Sequence, residues 1–483
     1  MHVRVAPRGD GIDVLQWPII GPFLRWRHAR TAIQLVLLLA AALVVADGLF
    51  GSALDPTSFA TVAIWTHYRG LLVVALLAMG NLFCMGCPFV LARDAGRRVR
   101  MPTVTLPRWL RTKWIGIVLF GVVLFCYERF GLWALPRATA WLVLAYFASA
   151  VVVDLIFTGA SFCKYVCPVG QFNFVASTMS PFELRVREIA TCHSCRTADC
   201  IKGNDLQRGC ELRLFLPAKV GNMDCTLCLD CVHACPHDNI ALAARVPGAE
   251  LADPRRRSGI GRFTRRMDIA ALVTLFVFGS LVNAFGMVAP AGSVEGQLVR
   301  FVFAVGVVPL VLLGLAATAT RFLAGDPERV ALHVKSEGVA PSPPVRRPYQ
   351  GRLQVAISYA YALVPLGFGV WLAHYGFHLL TGALAIVPVT QRAAIDLLGS
   401  PVLGQPLLRL TGMRPGSVYP IEIGLILLGA LGSLGVAFQI SERDYPARPA
   451  IATLPWALVV ASLTSAALWI ISQPMQMTIG YLG

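Results

Sequence analysis

The sequence predicts an all-α polytopic membrane protein of about nine transmembrane helices, carrying one small inserted α+β domain. Two observations carry the first half of that statement. Of the 483 residues 56% come from the set AVILMFWYC and only 14% are charged, and apolar runs of about 20 residues recur with the charges collected between them. The second half rests on a crowd of eight cysteines, out of 13, in one polar stretch between runs. A mean hydropathy of +0.65 excludes an ordinary soluble enzyme. The 42 Lys+Arg against 26 Asp+Glu give a net charge of +16. In a membrane protein this excess reads as loops facing anionic lipid, with membrane lipid and not nucleic acid as the partner.

Four spans are expected first, at Thr31–Phe50, Val62–Phe83, Trp114–Trp133 and Ala140–Thr158, forming a membrane region over residues 1–160. The apolar stretch from Thr31 is too long and starts too late for a cleavable signal peptide. Residues 161–267 form the inserted polar domain, closing on the basic run Arg255, Arg256, Arg257, which reads as a membrane-surface tether. A helix pair follows over 268–324, with spans Ile269–Pro290 and Phe301–Leu323. Residues 325–352, with Pro341, Pro343, Pro344 and Pro348, read as an extended linker. The last region, 353–483, holds spans Leu353–Leu380, Ile421–Ile440 and Leu454–Ile471. With the N-terminus inside, the inner segments carry 35 Lys+Arg and the outer ones 7. The positive-inside rule therefore puts the N-terminus and the inserted domain in the cytoplasm and the C-terminus outside.

Within the inserted domain, CTLCLDCVHACPH spaces Cys225, Cys228, Cys231 and Cys235 as C-x2-C-x2-C-x3-C, followed by Pro236. This is the bacterial ferredoxin run, in which three thiolates hold one cubane and the fourth ligates a second. CHSCRTADC supplies Cys192, Cys195 and Cys200, and Cys210 completes the set. The expected cofactors are two 4Fe-4S clusters in a ferredoxin-like fold, one on Cys225, Cys228, Cys231 and Cys210, the other on Cys192, Cys195, Cys200 and Cys235. Zinc prefers two separated C-x2-C knuckles, and a cytoplasmic site argues against disulfides. Two further pairs, FCMGCPFV (Cys84, Cys87, Pro88) and FCKYVCPVGQFNF (Cys163, Cys167, Pro168), sit where spans two and four reach the cytoplasm. They read as a metal site, a dithiol relay or helix-end punctuation. Cys126, inside span three, reads as a packed residue.

On these motifs the chain resembles the membrane-bound polyferredoxins that include NapH, the C-terminal half of NosR and CcoG. The resemblance covers roughly Ala32 to Ile240, with the first Cys pair one residue shorter than the family's C-x3-CP. It implies two cytoplasmic clusters in a bacterial inner membrane protein, the C-terminus in the periplasm, and a redox partner such as a respiratory reductase or oxidase component.

Clusters on one side of about 30 Å of hydrocarbon need a further carrier to reach the other. His374 and His378 share one face of span seven near its outer end, and His67 lies at a similar depth in span two. These three are candidates for a haem b or a quinone site. Asp154, inside span four, is a candidate for proton or quinol chemistry, and so deep a carboxylate demands a partner on a neighbouring helix. The leading expectation is an electron-transfer component, not a stand-alone catalyst. The alternative is an assembly factor that reduces or hands over copper through the juxtamembrane thiols, since copper(I) favours soft thiolates.

Overall fold

The computed structural model of the chain describes residues 12–51, 55–253, 257–258, 261–288, 293–325 and 351–473. Arg255, Arg256, Pro290 and the four linker prolines lie outside the described residues. Among the described residues, eight helices are long and apolar enough to cross a membrane. They are α1 (Ala29–Phe50), α2 (Phe59–Met79), α5 (Pro136–Ile156), α7 (Met267–Gly286), α8 (Val294–Ala324), α9 (Arg352–Thr381), α11 (Pro415–Asp444) and α12 (Pro449–Ser472). The expected third span forms α4 (Trp114–Phe130), 17 residues long and equally apolar. Among the shorter helices, three matter for the site: α3 (Pro88–Val99), α6 (Pro168–Ala176) and α10 (Ile386–Leu398).

Local chemistry sets the helix ends. Proline, whose missing N–H costs nothing in a first turn, opens α3, α5, α6, α11 and α12. Ser58 caps α2 by accepting from the Thr61 N–H. Two expected spans stop short of their hydropathy limits for the same reason. The second, expected to reach Phe83, breaks at Gly80 (φ 72°), and a Cβ there would meet Ser180 Oγ at 2.8 Å. The third ends at Gly131, in the left-handed region at φ 57°. The remaining apolar residues past these breaks are used in short helices and loops.

α9 is the central post, with 94% of its apolar window buried inside the protein. It packs against α2, α7 and α11. At the α9–α11 crossing the backbones touch, because Gly369 and Gly429 face each other and a Cβ on Gly429 would sit 2.7 Å from the Pro365 carbonyl. The inserted domain is built on a two-stranded antiparallel sheet, β1 (Phe182–Val186) with β2 (Ile240–Ala244), register Leu184 opposite Leu242. Between these strands the chain carries the eight crowded cysteines on short helices and loops. Leu184, Leu212, Leu214, Leu216, Leu227 and Leu229 share one apolar core with Val14, Leu15, Leu24 and Met85 from outside the insertion.

Candidate functional site

The eight domain thiols fall into two neighbourhoods. Burial pushes the Cys231 thiol up, and the thiols of Cys228, Cys225 and Cys210 beside it push the same way. Cys200, raised to about 11 chiefly by burial, faces Cys235, Cys192 and Cys195. Cys210 borders both groups, since it also stands among the neighbours of Cys200 and its N–H donates to the Cys200 carbonyl at 2.9 Å. Cys192 accepts from Asn239 Nδ2 at 3.4 Å, and Cys235 from the Asn239 backbone N–H at 3.5 Å. Cys195, at the solvent edge, is held down to about 7 by the Ala198 N–H and the Thr197 hydroxyl. All 13 cysteines are free thiols. Among the described residues no three His, Cys, Asp or Glu side chains are drawn together closely enough to hold one metal ion.

The backbone around these thiols is unusual. All six non-glycine residues with positive φ among the described residues lie here: Ala198, Arg213, Asp224, Leu227, Leu229 and Asp238. Each costs about 1–2 kcal/mol in the left-handed region. Such strain persists only where its surroundings over-determine it, and it gathers at functional sites. Alternation of right- and left-handed residues turns successive N–H groups toward one concavity, the backbone nest that suits anions and iron-sulfur groups.

Ion pairs, most of them buried, bolt the domain to the membrane helices. Arg93 of α3, 1% exposed, reaches Asp154 of α5 at 3.3 Å and Glu211 at 2.8 Å. Arg97 also holds Glu211, at 2.8 Å, and Arg208 holds Asp94 at 2.8 Å. Arg30 at the start of α1 pairs with Asp230 at 3.0 Å. Lys113, fully buried ahead of α4, donates to Asp224 at 2.5 Å, next to Cys225. Asp154 therefore has its partner on a neighbouring helix, and its other oxygen accepts from the Phe162 N–H at 2.8 Å. In the sequence these side chains counted only toward the inner positive charge.

The two Cys-Pro pairs converge. Cys84, Cys87, Cys163 and Cys167 line one cavity of about 30 Å³ together with Tyr68, Phe83, Phe89, Phe162 and Phe174. Cys87 and Cys167 are the N-cap residues of α3 and α6 with nearly the same backbone, φ −61°, ψ 119° and φ −60°, ψ 114°. The spacings differ by one residue, and a π-helical turn over Phe162–Val166 absorbs the extra one, closed by Cys167 N–H to the Phe162 carbonyl at 2.8 Å. A second small cavity, lined by Cys84, Cys163, Arg30 and Arg93, reaches Cys210 and Cys228 of the domain. Cys126 lies half-buried in α4, away from these cavities.

At the far end of the bundle His67 places its ring nitrogens 3.2 Å from the carbonyls of Val62 and Ala383. His374 and His378 stand ring to ring at 5.2 Å. His374 is 1% exposed and both its nitrogens lack hydrogen-bond partners, while His378 Nε2 lies 3.3 Å from Met287 Sδ. Beside His378 opens a cavity of about 430 Å³, apolar along Phe377, Val389 and Leu410, with Arg392 and Arg414 on its wall.

Fold and site together define a multi-pass membrane protein with a cysteine-rich domain docked on one end. The chain is similar to an uncharacterized protein of Methanocaldococcus jannaschii, 26% identical over 182 residues, which are 36% of this chain and 68% of that protein. It is also similar to "Putative electron transport protein YccM" of Escherichia coli, 30% identical over 90 residues. That match spans 18% of this chain and only 23% of YccM. No family model matches the chain, and no solved structure matches it.

Proposed function

We propose that the protein is a membrane-bound iron-sulfur electron-transfer component. Cys210, Cys225, Cys228 and Cys231 would hold one 4Fe-4S cluster, and Cys192, Cys195, Cys200 and Cys235 the other. The supporting observation is that every left-handed non-glycine residue among those described lies around these thiols, a strain that a plain soluble loop has no reason to keep. The cysteine spacing and the similarity to YccM, named for electron transport, point the same way. Such clusters supply one-electron chemistry. The chain's own part is to hold them in apolar surroundings, with Leu227, Leu229 and Val232 excluding water. Arg30, Arg93 and Lys113 offset the negative charge that thiolates bring.

The domain faces the cytoplasm in this reading, where it exchanges electrons with a soluble or membrane redox partner. At the opposite end the 430 Å³ cavity beside His378 favours a quinone head group over a haem. Two histidines four residues apart on one helix face cannot flank one haem plane from opposite sides, and His67 is already engaged by two carbonyls. The copper-handling alternative rests on the four juxtamembrane thiols, but a small cavity walled by aromatic rings suits retention better than hand-over.

Anaerobically purified protein should contain about eight iron and eight acid-labile sulfide in the domain. Replacing Cys228 by Ser should remove about half of the cubane signal, and Cys126→Ser should change nothing. Iron-poor, zinc-rich wild-type protein would overturn the reading.

A further inference from the structure

The four juxtamembrane thiols are the largest cluster of chemically reactive side chains that the two-cluster reading leaves unused. They come from two separate span ends, 76 or more residues apart in the chain, yet they border one cavity. The fold takes two different routes to bring about this convergence. Cys84 rides on an α-turn (Leu82–Met85) and Cys163 on the π-turn, so that pairs of unequal spacing end in the same Cys-Pro cap. A π-turn is a costly local choice that recurs at functional sites.

Other groups point at these sulfurs. Asn173 Nδ2 donates to Cys84 Sγ at 3.3 Å, and the Gly170 N–H donates to Cys167 Sγ at 3.2 Å. Burial pushes the Cys87 thiol up, and the Phe89 and Val90 N–H groups of α3 offset part of that rise. N–H groups aimed at sulfur oppose the burial that keeps these thiols protonated, and a bound metal would complete what they begin. Arg93 and its carboxylate partner Asp154 stand together on the cavity wall. The Nε of Arg30 is buried without a hydrogen-bond partner in the adjoining cavity. N–H donors on two of the sulfurs and the free Nε of Arg30 next door give the four thiols polar support inside an otherwise apolar pocket. In their metal-free positions the thiols ring the space without meeting at single-ion distance. Closing it takes side-chain rotation or a bridging sulfide.

We propose that Cys84, Cys87, Cys163 and Cys167 hold a third, thiolate-bound iron centre at the membrane boundary. It rests on the electron-transfer reading above for its purpose, and on its own geometry for its existence. Four soft sulfurs in a tetrahedral set select iron-sulfur groups or zinc, and of these only iron can pass electrons. Loading ferrous iron there forms four iron–sulfur bonds and releases the four thiol protons to water. The adjoining cavity leads to Cys210 and Cys228, so the centre would stand beside the inner of the two domain sites.

The test compares wild-type protein with the double variant Cys84→Ser, Cys167→Ser. Both are reconstituted anaerobically with ferrous iron and sulfide, then stripped of loose metal. The wild type should hold at least one more iron per chain than the variant, while the reduced 4Fe-4S electron paramagnetic resonance signal stays the same in both. Extra sulfide alongside the extra iron would identify a cluster, and its absence a single iron; either supports the site. Equal iron in the two proteins overturns it, as does an excess that is copper or zinc after purification. Should the double variant not accumulate, the single variants Cys84→Ser and Cys167→Ser are read the same way. Failure of the two-cluster reading would appear separately, as loss of the 4Fe-4S signal from wild-type protein.

Discussion

Without the guanidinium of Arg93, the carboxylates of Asp154 and Glu211 would lose their shared cation inside the protein. Breaking a buried pair by removing one partner costs about 3–5 kcal/mol. Arg93→Leu should therefore lower the thermal unfolding temperature in detergent markedly, and Arg93→Lys, which keeps the charge but not the fork, should lower it less. The same network sets a pH limit. Burial opposes ionisation of Asp94, but Arg93 and Arg208 outweigh it and hold the carboxyl below its ordinary value of 3.8. A group so depressed contributes its full stabilisation above the ordinary value and loses it as pH falls through the lower folded one. Protease access to the Arg208 loop should thus be constant from about pH 8 to pH 5 and rise only below about pH 4. A rise near neutrality would show that Asp94 does not hold that loop.

α9 and α11 meet backbone to backbone, and this contact depends on two glycines. A side chain at Gly429 would press on the Pro365 carbonyl and on Gly369, neither of which can rotate away. Gly429→Val should push the helices apart and cost about 1–3 kcal/mol, read as reduced thermal stability in detergent. Gly424→Val, on the same helix with open space around it, should be close to neutral. The helix ends follow the same rule of local geometry: hydropathy extends spans two and three through Phe83 and Trp133, and Gly80 and Gly131 end them sooner. Neither break shows in a hydropathy window, because glycine is mildly apolar on such scales while its positive φ is a backbone property.

For the whole molecule the prediction concerns orientation. With 35 Lys+Arg on one side and 7 on the other, a reporter active only in the cytoplasm should work when fused after Ile240 and fail when fused after Gly483. The opposite result would place the cysteine domain outside and reverse the proposed electron path. The arrangement of the spans also bears on where a quinone could act, because the 430 Å³ cavity and the cysteine domain lie at opposite ends of the bundle.

The sequence alone determined the approximate places of the spans, since a helix of about 20 apolar residues is what a bilayer requires; of the nine expected, eight are long and apolar enough among the described residues, and the third is a 17-residue helix. It also gave the expected division of the eight domain cysteines into two sets, because ligand spacing is a local pattern. Three things were left to the tertiary structure. Arg30, Arg93 and Lys113 are indistinguishable in the sequence from solvated loop charges, and only burial against Asp230, Asp154 and Asp224 makes them fasteners. His374 and His378 share a face by periodicity, but that a cavity opens beside His378 and not beside His374 depends on α10 and the loop after it. The convergence of Cys84, Cys87, Cys163 and Cys167 needed α2 and α5 to end at the same depth and a π-turn to cancel a one-residue difference. Such meetings depend on distances between segments remote in the chain, and those distances are set by packing, which no local pattern records.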